Sequence, residues 1–239
     1  MNSSNRMIRK EERVLPVFLL VDTSGSMLGE KIGSVNVATK EMIRNFMGIE
    51  NPRGVIHLEI ITFGDDEVKI VKELGALSSS DVFEFVASGK TPMGRAFTTA
   101  VERIENDAIV SKRDYHPTII LISDGFPTDF DGYSEETTDE EIALWEPLQK
   151  LHASPRCSKA VKLAMGIGND AATDVLQSFI KNKDIPVITA KSNRTIENFF
   201  EWTTMMTSVR SLSANPNNPF VPDTDIFDDG ELFFPYNHS

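Results

Sequence analysis

A chain of 239 residues with 40% hydrophobic composition can bury one core of ordinary domain size, which excludes a fibrous or wholly disordered protein. Acidic residues outnumber basic ones 36 to 24, for a formal net charge of −12. That balance argues against nucleic acid as the main partner, because gripping a phosphate backbone usually needs a clustered basic surface.

The only basic cluster, Arg6, Arg9, Lys10 and Arg13, is interrupted by Glu11 and Glu12. The single cysteine, Cys157, has no intramolecular partner, as a reducing compartment tolerates. Residues 1–13 lack the apolar core of a secretion signal, and the longest apolar run, 14–21, is far short of the roughly 20 residues that cross a bilayer. The expectation is a cytoplasmic protein with no membrane partner.

Residues 14–21 form a continuous apolar run, the pattern of a strand buried on both faces. The run ends at Asp22-Thr-Ser-Gly-Ser26, and Ile32, Val35, Ala38, Thr39, Met42, Ile43 and Phe46 then recur at helical spacing over 31–47. A second strand is predicted at 56–63, a turn at Gly64-Asp-Asp66 and a short antiparallel partner at 68–74. A short helical turn is expected at 81–86, then a polar loop at 89–94 that opens a helix over 93–110. Residues 117–122 read as another buried strand, ending at Ser123-Asp-Gly125. Residues 126–138 read as a surface loop, 139–152 as one helix despite Pro147, 159–168 as a strand with its turn, 171–180 as a helix, 185–190 as the last strand and 195–211 as the closing helix. This alternation predicts an α/β fold, a doubly wound and mostly parallel sheet with helices on both faces and one short antiparallel edge strand. The expected organisation is an extension over 1–13, a domain over 14–211, and an acidic, aromatic tail over 212–239.

In such sheets ligands bind beyond the carboxyl ends of the strands, where strand order reverses. Three polar loops follow predicted elements there. They offer hydroxyl oxygens from Ser24, Ser26 and Thr91 and carboxylates from Asp22 and Asp124. Hard oxygen donors without a soft ligand suit Mg²⁺, Mn²⁺ or Ca²⁺ rather than Zn²⁺. Five donors leave a position free in an octahedral shell. With at most two carboxylates nearby, and contact through water in place of direct ligation, the ion stays under-neutralised and attracts a carboxylate from outside.

Asp22-Thr-Ser-Gly-Ser-Met27 resembles the Asp-x-Ser-x-Ser signature of von Willebrand factor A (VWA) domains and integrin inserted domains. Thr91 and Ser123-Asp124-Gly125 match, in order, the Thr and Asp that the family pattern places on later loops. The resemblance implies a Rossmann-like fold and a metal-ion-dependent adhesion site (MIDAS) with Asp22, Ser24, Ser26, Thr91 and Asp124 as metal residues. It also implies a protein partner that supplies an acidic residue. The stretch 15–27 with Gly29-Glu-Lys-Ile32 is similar to bacterial TerY-type proteins, which implies a tellurite-resistance or stress system and a kinase or phosphatase of that system as partner.

Other readings are blander. Asp22, Ser24 and Ser26 taken alone fit a strand-to-helix turn with a helix cap. Gly166-Ile-Gly-Asn-Asp-Ala171 fits G-x-G-x-x-A, but Lys191 follows the next strand where a ribose-binding acid would stand, so a plain turn is expected. A metal-dependent phosphohydrolase or phosphotransferase is the alternative function, with Asp22 as nucleophile. Ser24 stands where such enzymes carry a second Asp, and none of His57, His116, His152 and His238 lies in the three loops, so no enzyme is expected. Asp129, Asp131, Glu135 and Glu136 read as surface charges. The tail reads as disordered, or as a source of an acid from 223–231 for the metal position.

Overall fold

The structure is a computed structural model that describes residues 12–50, 52–218 and 223–233. Arg6, Arg9, Lys10, His238 and the aromatic stretch beyond Phe233 lie outside the described residues.

Among the described residues, seven strands form one sheet in the order β3-β2-β1-β4-β5-β6-β7. They are β1 (Arg13–Asp22), β2 (Gly54–Gly64), β3 (Glu67–Gly75), β4 (Thr118–Ser123), β5 (Val161–Ile167), β6 (Val187–Ala190) and β7 (Leu232–Phe233). The five inner strands are parallel, and β3 and β7 are antiparallel edges. Helices α1 (Glu30–Met47) and α6 (Asn193–Leu212) pack together as one layer. Helices α2 (Met93–Glu105), α3 (Asp139–Leu144), α4 (Glu146–Ala153) and α5 (Thr173–Ile180) form the other. The expected α/β architecture is therefore present.

Strand β1 lies at the centre because both its faces are apolar: Leu15 and Val17 to Val21 are fully buried. Pro16, which has no N–H to donate, sits one residue before pairing with β4 begins at Val17–Thr118. From β1 the chain runs outward through β2 and β3, then crosses back to β4 and continues through β5 and β6. Strand order therefore reverses between β1 and β4, so Asp22 and Ser123 end at the point where doubly wound sheets form a binding crevice. The β2–β3 hairpin turns on Asp65 and Asp66, both at positive φ (51° and 58°), the pairing a tight two-residue turn demands.

Four expectations need correction. The helix predicted over 139–152 is two helices, broken at Trp145 (ψ 120°). Pro147 fits the first turn of α4, but it lacks an N–H and its ring crowds the carbonyl four residues back, so one continuous helix cannot pass through it. The long helix from Met93 stops at Glu105, and residues 81–86 form no helix: Phe85 is held instead by a two-way hydrogen-bond pair with Asn36. The sheet has two antiparallel edges rather than one. The second comes from the tail, whose β7 pairs with β6 while Phe227 packs edge-on against Trp202 (6.0 Å). The stretch after α6 is also anchored. Arg210, 1% exposed, donates to the Pro216 carbonyl, the His116 carbonyl and the Thr118 hydroxyl, and Asn217 accepts from the His116 N–H. The Gly166 turn is plain packing: a Cβ there would lie 2.8 Å from the Ala171 side chain.

Glu59 of β2 is fully buried and accepts from Arg103 Nε and Nη2, each at 2.8 Å, tying α2 to the sheet. Removing one partner of a buried pair strands the other. Arg103→Ala is expected to destabilise the fold by about 3–5 kcal/mol, read from denaturant unfolding. His152 supplies a pH effect. Its Nε2 meets the Ser178 carbonyl at 2.8 Å, and burial holds the ring near a pKa of about 4, below its ordinary 6.5. Between those values the unfolded chain binds a proton that the folded chain refuses, so stability falls as pH drops through this window. His152→Gln should flatten that part of the curve of unfolding midpoint against pH.

Candidate functional site

The site is built where β1 and β4 end. Asp22, the last residue of β1, is fully buried; its Oδ1 accepts from the Ser24 backbone N–H (2.8 Å) and its Oδ2 from the Ser123 hydroxyl (2.5 Å). These bonds fold the chain back so that the hydroxyls of Ser24 and Ser26 lie 3.0 Å apart. Ser26 then donates to Asp124 Oδ1 across the crevice at 2.7 Å. Asp124 and Ser24 are buried, whereas Ser26 is exposed and marks the mouth.

Thr91 reaches the same point from a third loop. A Cβ placed on Gly125 would lie 3.6 Å from the Ser26 hydroxyl oxygen and 3.8 Å from that of Thr91, so both flank Gly125. Two glycines let the loops nest this closely. A Cβ on Gly64 would meet the Thr23 carbonyl oxygen at 2.3 Å, and one on Gly89, at φ +66°, would meet Asp65 Cα at 2.4 Å. Backbone bonds close the assembly: Thr23 N–H to the Phe63 carbonyl, Ser88 N–H to the Thr23 carbonyl, and Gly25 N–H to the Gly89 carbonyl. All five predicted residues therefore share one mouth.

Four contributors escaped sequence reasoning. Ser123 orients Asp22. Thr128 accepts from the Thr91 N–H at 3.1 Å and donates its own N–H to the Thr91 carbonyl at 2.9 Å, stitching the second and third loops together. Asp129, expected to be a surface charge, caps α2 by accepting from the N–H groups of Gly94 (3.0 Å) and Arg95 (2.9 Å). Lys31 places its ammonium 2.5 Å from Asp124 Oδ2. Of these, Ser123 alone carried a local signal, as part of Ser-Asp-Gly.

Electrostatics favour cations. Burial pushes the Asp22 carboxyl up to about 6, against the lowering effect of hydrogen bonds from Ser123 and Ser24, and nearby Asp124 adds to the rise. Two carboxylates held this close gain from any positive charge between them. Among the described residues no three His, Cys, Asp or Glu side chains gather as a metal cluster, so an ion here has to rely on hydroxyl oxygens as well. The hydroxyls suit that role. Ser26 sends its proton to Asp124, which leaves oxygen lone pairs for a cation at the mouth. The donor set thus fits a hard divalent ion.

A doubly wound sheet with an acid and hydroxyl cluster at its reversal point defines the class, and the match to a family model gives the family. The von Willebrand factor type A domain model covers residues 17–202, and the chain belongs to that family. Its domains generally mediate protein interactions, often through a divalent ion.

Solved structures share the fold at low identity. A von Willebrand factor type A protein from Catenulispora acidiphila is 18% identical at a TM-score of 0.60, over 81% of this chain and 42% of that one. Proximal thread matrix protein 1 from the mussel byssus, solved with a zinc-occupied MIDAS motif, is 18% identical at 0.59, over 80% and 47%. The vWF domain of the pilus tip protein Mfa5 from Porphyromonas gingivalis is 10% identical at 0.61, over 85% and 98%. The chain thus spans less than half the length of the first two. No curated protein sequence matches it.

Because Asp129 holds α2 and thereby the Thr91 loop, Asp129→Ala should lower stability by about 1 kcal/mol, as loss of a helix cap does. Urea unfolding measures this, and Asp129→Asn, which keeps an acceptor, should lose less.

Proposed function

We propose that this chain is a divalent-metal-dependent protein-binding module whose ion, Mg²⁺ or Mn²⁺ (with Ca²⁺ the other hard-ion candidate), is held by Ser24, Ser26 and Thr91 together with Asp22 and Asp124. The observation that carries the proposal is the convergence of these side chains from three loops, Ser26 and Asp124 being 98 residues apart, with Ser26 exposed at the mouth and the other four buried behind it. The ion supplies a positive centre for an incoming carboxylate. Asp22 and Asp124 supply two negative charges, and the Lys31 ammonium paired with Asp124 offsets one of them, so a divalent ion keeps a net positive charge. A partner presenting an Asp or Glu side chain completes the neutralisation. Among the described residues the three histidines, His57, His116 and His152, all stand on other parts of the fold, away from the Ser24 and Ser26 hydroxyls, so we read the site as binding rather than catalytic.

The tail is not our choice of internal acid. Asp228 and Glu231 form a local cap, and Glu231 also accepts from Thr195 on α6. On the resemblance of 15–32 to TerY-type proteins, we place the chain in the cytoplasm of a bacterium, within a stress or tellurite-resistance system whose kinase or phosphatase is the partner. Among the described residues no helix is long and apolar enough to cross a membrane.

Calorimetric titration with Mg²⁺ and Mn²⁺ tests the site. Asp22→Ala and Asp124→Ala, each with an intact circular dichroism spectrum, should lose ion binding by at least about tenfold, since each removes a charge beside the ion. An unchanged affinity in both would refute the assignment. Phosphatase turnover that requires the same metal would favour the hydrolase alternative instead.

A further inference from the structure

We propose that Lys31 is the internal counter-ion of Asp124, and that a divalent cation binds at this mouth in opposition to its ammonium charge, so that Lys31 sets how tightly the ion is held. This rests on the metal-binding reading above and adds a residue to it.

The Asp124 side chain has no exposure to solvent, and both its oxygens are engaged, Oδ1 by the Ser26 hydroxyl and Oδ2 by Lys31 Nζ. A buried carboxylate with no compensating charge is strongly unfavourable, and Lys31 is the cation in contact with it. The placement of Lys31 is itself unusual. It lies in the first turn of α1, at the positive end of the helix dipole, and the helix begins at Gly29 with no side-chain cap. A cation there is disfavoured by the helix, and the pairing with Asp124 offsets that. The ammonium is also directed inward: a Cβ on Gly168, beyond the end of β5, would lie 3.8 Å from Lys31 Nζ. The side chain therefore bridges from α1 into the crevice beside β4 and β5, although it is still 37% exposed.

Ser26 and Lys31 hold the two oxygens of one carboxylate, so an ion taken up by the Ser26 oxygen has the ammonium as its neighbour across Asp124. Positive charges that share one carboxylate repel, and the ammonium also provides part of the charge compensation the ion would otherwise supply. The effect of Lys31 is to keep the site neutralised before the ion arrives and to weaken the ion once it is bound. A purely positioning role predicts the reverse, because loss of the lysine would then loosen Asp124 and weaken ion binding.

The test is calorimetric titration of the whole chain with Mn²⁺ in wild type, Lys31→Met, Lys31→Gln and Lys31→Arg. Lys31→Met keeps the aliphatic stem, and Lys31→Gln keeps a donor for Asp124 without the charge. Both neutral variants are expected to bind Mn²⁺ about tenfold more tightly, the scale of coupling between directly contacting groups, while Lys31→Arg stays near wild type. Saturating Mn²⁺ should also raise the melting temperature more in Lys31→Met than in wild type, because without ion that variant buries Asp124 uncompensated. Equal or weaker binding in both neutral variants overturns the proposal and leaves the metal site standing. Absence of Mn²⁺ binding in wild type and variants alike overturns both.

Discussion

Two carboxylates buried side by side at the ends of neighbouring strands are the constraint around which this end of the molecule is organised. Asp22 and Asp124 terminate β1 and close off β4, the two central strands, and neither faces open water. Burying such charges costs free energy unless donors surround them. The donors come from the chain itself: the Ser24 N–H and Ser123 hydroxyl for Asp22, the Ser26 hydroxyl and Lys31 ammonium for Asp124. The Asp-x-Ser-x-Ser turn is thus first a way of satisfying carboxylates. The Ser26 hydroxyl, which sends its proton to Asp124, is then left exposed at the mouth with lone pairs free.

The rest of the fold keeps this cluster rigid. Helix α2 carries Thr91 at its entrance and is fixed at one end by Asp129 and at the other by the Arg103–Glu59 pair. Helix α1 delivers Lys31, and its Asn36 holds Phe85, which precedes the loop that lies over Thr23. A ligand-binding loop is usually the least stable part of a domain. Here each of the three loops is hydrogen-bonded to another.

Much of this was legible in the sequence. The period-free apolar runs at 14–21 and 117–122 announced strands buried on both faces, and the helical spacing from Ile32 to Phe46 matched the buried face of α1. Asp22, Ser24, Ser26, Thr91 and Asp124 stand on three polar loops, two behind such strands and one ahead of a helix, in the order of the VWA signature. Illegible were the groups whose partners are remote. Nothing local distinguishes Lys31 from another helix lysine, or Asp129 from the neighbouring loop acids. The tail misled for the same reason: its composition is that of a solvated segment, yet Phe227 finds Trp202 and Leu232 finds an open sheet edge.

The sequence by itself determined the succession of most strands and helices along the chain, the oxygen chemistry of the three loops and the absence of soft donors among them, because each is a property of short stretches and their periodicity. Tertiary structure alone decided which of those oxygens meet, that an ammonium 93 residues away answers Asp124, and that the chain's end becomes an edge strand. Those outcomes depend on strand order, and strand order is fixed by the packing of the whole sheet rather than by any segment within it.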